Sequence, residues 1–357
     1  MVPRSIAACQ TATSDLFRAP ERKSAWKQDL AEAYRQADDL LAALGLSPEA
    51  IPDLDPAAPG FRMLVPRAFA ALMTPGDPHD PLLRQVLPLG AERLPVAGFT
   101  RDPVGDGSAD LGQGLLRKYA GRALLIVTGG CAVHCRYCFR RHFPYADLGK
   151  TPDRTAGALA AIASDTTISE VILSGGDPLM LDDERLGVLV ERLHEIPHLK
   201  RLRIHTRLPV VLPSRVTDAL CRCLADSRLL AILVVHANHP NELGAQAEDA
   251  LLRLRRADLT LLNQSVLLRG INDAATTLVA LSERLFECGV LPYYLHQLDP
   301  VEGSAHFAVS DTQALRFGEA LRERLPGYLV PRLVREVPGV GSKIPLHASA
   351  RIGSPLL

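Results

Sequence analysis

From residue 120 onward the chain alternates short apolar runs with helical-looking stretches, and this alternation constrains its fold more than any other feature. The runs, rich in Val, Ile and Leu, cover residues 123–128, 171–174, 202–206, 232–236, 261–268 and 291–297. Helical stretches lie between most of them, among them 183–196, 216–227 and 278–288. After the first repeat the spacing is about thirty residues, the length of one βα unit. Six such units in series predict an α/β fold, a parallel sheet curled into a partial (β/α)6 barrel, short of the eight units of a closed barrel.

The first hundred residues read differently. Apolar positions 26, 30, 34, 37, 41 and 44 recur every three or four residues, which predicts one amphipathic helix ended by Gly45. Pro48, Pro52, Pro56, Pro59 and Gly60 follow, a connector that neither helix nor central strand accommodates. A second proline-rich stretch runs over residues 75–103. The organisation expected is a helical and irregular arm over 1–115, a barrel core over 116–340 and a C-terminal segment over 341–357.

Charge narrows the function classes. Forty Lys plus Arg balance 40 Asp plus Glu, and aromatic residues are 5%, so neither a basic footprint nor a stacking array for nucleic acid is present. No apolar run approaches the roughly 18 residues of a spanning helix. The first ten residues carry one Arg and no apolar core before a cleavage site, unlike a signal peptide. The expectation is a cytoplasmic protein without a membrane or nucleic-acid partner.

Seven cysteines, an odd number, do not read as a disulfide framework in such a chain. Three of them fall within eight residues, Cys131, Cys135 and Cys138, on a loop after the first barrel strand. The spacing is C-x3-C-x2-C. Three thiolates hold three corners of a [4Fe–4S] cube and leave the fourth iron open to a small molecule. The competing reading is a zinc site with His142 or His134 as fourth ligand. Other polar residues also fall just past strand ends: Gly175-Gly176-Asp177, Arg207, Asn238-His239 and Asp299. That rim is where βα barrels bind ligands.

The cysteine motif, with Tyr137 before its last Cys, resembles the signature of radical S-adenosylmethionine enzymes. In that family the open iron is chelated by S-adenosylmethionine, whose reductive cleavage starts radical chemistry. Ser174-Gly175-Gly176-Asp177 resembles the family's glycine-rich stretch, and the resemblance implies that it and Tyr137 bind S-adenosylmethionine. Glycines admit close backbone approach, and the Asp177 carboxylate would accept an ammonium hydrogen bond.

Near the C-terminus, Pro338-Gly339-Val340-Gly341-Ser342-Lys343-Ile344-Pro345 resembles the pyridoxal phosphate attachment site of the lysine 2,3-aminomutases, a branch of that family. The resemblance runs from about residue 60 to 346. It implies an isomerase whose Lys343 holds pyridoxal 5′-phosphate, with Gln264, Lys118 and Arg122 as phosphate partners. Lys118 stands where relatives carry an arginine, which replaces a fork by a point charge. Arg140 matches the arginine that grips the amino-acid carboxylate. Asp299 and Glu336 match the acidic positions that grip the far ammonium of lysine, although Glu336 is one methylene longer than the expected Asp.

Within the branch, the segment 131–145 resembles the subgroup that makes (R)-β-lysine from L-α-lysine for modification of elongation factor P by a partner ligase. An electron donor is implied as well. The chain stops 14 residues after Lys343, without the segment longer members use for oligomer contacts, which weakens any carry-over of their tetramer; a homodimer is a separate expectation. Two alternatives remain open: an aminomutase for arginine or ornithine, and a non-catalytic zinc or iron–sulfur scaffold that binds elongation factor P or its ligase.

Overall fold

A computed structural model describes residues 24–57, 61–148 and 153–346. Cys9, the start of the arm and the last eleven residues lie outside them. Among the described residues nine strands form one sheet in chain order: β1 (Leu115–Leu116), β2 (Arg122–Thr128), β3 (Glu170–Gly175), β4 (Arg201–Thr206), β5 (Leu230–Val235), β6 (Thr260–Leu267), β7 (Leu291–Gln297), β8 (Arg332–Arg335) and β9 (Ile344–Pro345). Strands β2 to β8 pair in parallel, and β1 and β9 add antiparallel edges.

The six expected strands are β2 to β7. The seventh parallel strand, β8, corrects the count of six. Its sequence, Arg-Leu-Val-Arg, holds two apolar residues between two charges and leaves no run to detect. Side chains alternate across a strand. On β4, Leu202 and Ile204 therefore enter the apolar layer under the helices, while Arg203 and His205 share the opposite, inner face. Helices Asp183–His194 and Ala245–Arg256 close that layer with Leu186, Leu189, Leu251 and Leu254. The sheet curls until its two ends meet, since the Tyr119 hydroxyl, between β1 and β2, donates to Glu336, just past β8.

The arm differs from its expectation. Two helices, Ala25–Ala31 and Ala37–Ala43, replace the single one over 26–44. Between them Tyr34 leaves the helix to exchange backbone hydrogen bonds with Val65, at 2.8 and 3.0 Å. The apolar stripe nevertheless points inward, with Trp26, Ala37, Leu41 and Leu44 all buried. Burial set that stripe, and a strand-like bridge served it as well as a helical turn. Arm residues Phe69, Leu82 and Leu83 belong to the same continuous apolar cluster as Leu125 and Leu173 of the barrel. The boundary placed at 115/116 falls inside β1. No helix among the described residues is long and apolar enough to cross a membrane.

Candidate active site

Strand β2 ends at Thr128, and the loop beyond it carries the three cysteines across the mouth of the barrel. Its bed is the end of β3. Gly176 N–H donates to Thr128 O and Asp177 N–H to Gly130 O, both at 2.7 Å. Contact is close enough that a Cβ on Gly176 would lie 2.2 Å from Gly130 O. Gly175 has φ +128°, and a Cβ there would meet Thr128 O at 2.4 Å. The glycine pair thus lets two backbones touch. Gly176→Ala is expected to displace the cysteine loop, costing about 1–3 kcal/mol of stability and lowering the iron bound on reconstitution. Gly187→Ala, where the nearest atom stands 3.9 Å away, serves as the control with unchanged iron.

The thiols feel one another. Burial pushes Cys131 well up, and the neighbouring Cys138, Asp177 and Cys135 push it further. Burial, then Cys135, pushes Cys138 up to about 11. Gathering three thiolates in such a place is unfavourable unless a metal cation compensates them, because ligands must be deprotonated to bind. Among the described residues no three His, Cys, Asp or Glu side chains, these thiols included, stand as ligands of one metal ion. Of the two candidate fourth ligands for zinc, His134 Nδ1 lies 2.6 Å from Arg62 O and His142 Nε2 lies 3.1 Å from Glu302 O. A three-thiol set on one loop fits an iron–sulfur cube, which spreads its ligands wider than one ion does.

Around the loop runs a buried polar network that sequence reading did not assemble. Arg207, after β4, donates from Nη1 to Cys135 Sγ at 2.7 Å and from Nη2 to Gln85 Oε1 and Glu242 Oε2 at 2.7 and 2.9 Å. The Tyr137 hydroxyl accepts from Asn238 Nδ2 at 2.6 Å, and its ring packs edge-on against Phe307. Asp177 is held by the fold around it. Its carboxylate is 5% exposed and accepts from Thr206 Oγ1 and from the backbone N–H of Arg207 and Leu179. It ties the ends of β3 and β4 together, and burial first of all pushes it up to about 6. Ser174 is likewise engaged, accepting from Arg140 Nη1 at 2.8 Å.

A second group of side chains gathers where the sheet's ends meet. Lys343 lies between β8 and β9, its Nζ 2.7 Å from Glu336 Oε2 and 5.6 Å from the centre of the Tyr294 ring. Burial pushes Glu336 up, but the Lys343 ammonium and hydrogen bonds from Lys343 and Tyr119 outweigh it and hold the carboxyl below its ordinary value. Asp299 follows β7 and has no side-chain hydrogen-bond partner among the described residues. Burial, with Glu336 and Asp106 adding to it, pushes Asp299 up to about 7 against the pull of Lys343 and Lys118.

Lys118 donates to Val104 O at 2.7 Å, and Arg122 stacks on the Tyr119 ring at 5.2 Å. On the inner wall Gln264 Nε2 meets His236 Nε2 at 2.7 Å, with the His205 ring 6.1 Å from that of His236. Burial pushes His236 down to about 3, so its ring is neutral and free to accept from the amide. The fold thus brings Lys343, Glu336, Asp299 and Lys118 into one electrostatic group, leaves Arg122 at the start of β2 against Tyr119, and sets Arg140 beside the cysteine loop. Two buried His nitrogens, His205 Nε2 and His296 Nε2, have no partner there. An inner wall with unpaired polar atoms suits a polar ligand.

Two comparisons bear on this arrangement. The model of the radical SAM superfamily matches residues 125–278, which span β2 to the start of helix Ala275–Glu287. The L-lysine 2,3-aminomutase of Escherichia coli K12 is 48% identical over 336 residues, covering 94% of this chain and 98% of that protein. The enzyme of that name from Haemophilus influenzae is 45% identical over 89% of this chain and 94% of its own. The one from Clostridium subterminale is 34% identical over 90% and 77%. With a triple-cysteine loop seated on paired glycines and likeness along nearly its whole length, the chain belongs to the radical SAM lysine 2,3-aminomutase family.

Proposed function

We propose that the protein is an isomerase that converts L-α-lysine to (R)-β-lysine, using a [4Fe–4S] cluster, S-adenosyl-L-methionine and pyridoxal 5′-phosphate. The observation that carries this reading is the pair of carboxylates, Asp299 and Glu336, at the amine of Lys343. One of them, Asp299, has no side-chain hydrogen-bond partner among the described residues, and its surroundings push its carboxyl up to about 7. A cation that enters there restores its ionisation, so the site favours a substrate with a positive far end over one with a carboxylate there.

Groups held by Cys131, Cys135, Cys138 and Lys343 would supply a radical initiator and a conjugated carrier for the migrating nitrogen. The chain's own residues bind and orient. Arg140 offers its fork to the amino-acid carboxylate, while Asp299 and Glu336 take the distal ammonium. Lys118 and Arg122 place positive charge for a phosphate, with Gln264 as an amide donor. In this reading (R)-β-lysine is the donor for modification of elongation factor P by its ligase. The resemblance of residues 131–145 to that subgroup supports it.

The test is an anaerobic assay of the reconstituted protein with L-lysine, L-arginine, L-ornithine and L-glutamate, products being resolved by chiral chromatography. (R)-β-Lysine from lysine alone supports the reading, and rearrangement of arginine or ornithine instead would replace it. The carboxylate pair adds a pH signature. Asp299 binds an ammonium only when ionised, so KM for lysine is expected to fall as pH rises through about 7. Asp299→Asn should remove that dependence and raise KM at pH 8; a pH profile unchanged by the substitution would refute the assignment.

A further inference from the structure

Asp106 belongs to no motif and lies in a one-turn helix, Asp106–Ala109, of the arm. It is nevertheless 2% exposed and touches two cations assigned to different ligands. Its Oδ2 accepts from Arg140 Nε at 2.6 Å, and its Oδ1 lies 2.6 Å from Lys118 Nζ. The second contact is an ion pair without hydrogen-bond alignment, since Oδ1 has no hydrogen-bond partner. The carboxylate is itself fixed, because its backbone N–H donates to Asp102 Oδ1 at 2.9 Å. Burial pushes it up, yet Arg140 and Lys118 hold it below the ordinary carboxylate range.

We infer that Asp106 is a positioning residue that aims Arg140 at the substrate carboxylate while tethering Lys118. This inference rests on the function proposed above. A guanidinium binds a carboxylate bidentately through one of its edges, and which edge faces the ligand depends on which N–H groups are already engaged. Asp106 takes Nε, and Ser174 takes one hydrogen of Nη1. Among the described residues Nη2 has no hydrogen-bond partner, so the end-on edge formed by Nη1 and Nη2 is the one left for a ligand. Asp106 also sits between two like charges in a poorly solvated place. Without it Arg140 and Lys118 would repel each other, and both would leave their present directions. One acidic side chain of the arm therefore sets the geometry of a substrate contact and of a cofactor contact together.

The test compares L-lysine with L-lysinamide, which keeps both amines and lacks the carboxylate. Their affinities for the pyridoxal-loaded protein are read from the cofactor's absorbance change, in wild type, Asp106→Asn and Asp106→Glu. Wild type is expected to favour lysine strongly. Asp106→Asn should weaken lysine by about tenfold or more while lysinamide binding changes little, so the preference collapses. Its affinity for pyridoxal phosphate should drop as well. Asp106→Glu, which keeps the charge, should retain part of the preference and guards against a variant that fails to fold. Equal loss for both ligands, or an undiminished preference in Asp106→Asn, would overturn the inference. A wild type that does not distinguish lysine from lysinamide would instead overturn the functional reading on which it rests.

Discussion

Lys343→Ala is expected to abolish the rearrangement of lysine, with a loss on the order of a thousandfold or more. Lys343 has its Nζ at the carboxylate of Glu336 and over the ring of Tyr294, on a turn fixed by the pairing of β8 with β9. Among the described residues no second lysine pairs with Glu336. Lys118 is held by Val104 O and Asp106. Borohydride reduction of the loaded wild type should leave a pyridoxal adduct on the peptide that contains Lys343, and the variant should carry none. Lys343→Arg separates two explanations. It keeps a cation against Glu336 and with it the local fold, but it lacks the nucleophile. Activity in the arginine variant, or an adduct on another lysine, would end the assignment.

The second large effect is on stability. Glu92, from the arm, accepts from Arg136 Nε at 2.8 Å and from Arg136 Nη2 and Arg141 Nη2 at 2.5 Å each. Arg136 is fully buried and lies between Cys135 and Cys138 in the chain, with its guanidinium 5.0 Å from the Phe61 ring. Glu92→Ala leaves two guanidinium groups without their counter-ion beneath the cysteine loop. About 3–5 kcal/mol of stability should go, read as a lower denaturant midpoint. Asp218→Asn at the exposed Arg253 pair should cost within about 1 kcal/mol. A similar midpoint shift for the two variants would mean that Glu92 is not what anchors the loop. Acid should act in the same direction. Burial pushes Glu92 up, but Arg136 and Arg141 bring it below 4.5, its unfolded value. Its contribution is thus present above that value and lost as pH falls through the lower folded one.

The sequence disclosed the barrel because Val-, Ile- and Leu-rich segments recur at βα spacing, nearly unbroken in β3 and β5 and alternating with inner-face polar residues in β4 and β6. It hid β8, where Leu333 and Val334 are the only apolar residues of a four-residue strand. The helical stripe of the arm was read correctly as burial and incorrectly as one helix, since periodicity records which side faces the core and not the backbone that delivers it. The site was legible where chemistry demands a local pattern: three thiols on one loop, paired glycines, a lysine in a proline–glycine turn. It was not legible where partners come from distant segments. Asp106 finds Arg140 across 34 residues, Tyr119 finds Glu336 across 217, and Gln85 finds Glu242 across 157. The contacts of Asp177 have the same origin: its carboxylate accepts from Thr206 at the end of the next strand and from the backbone of Arg207 just past it.

The contact between Lys343 and Glu336 also bears on the order of events in the proposed reaction. A lysine side chain ends in the same ammonium, on the same four-carbon stem, as the proposed substrate. Under the proposed function, a charged and unmodified Lys343 occupies the place at Glu336 that the distal ammonium of a free lysine would take. Engaging the Lys343 nitrogen elsewhere removes that competitor and vacates one carboxylate for an incoming cation. The expected order under that reading is cofactor before amino acid, with a chain not yet charged with cofactor nearly blind to lysine.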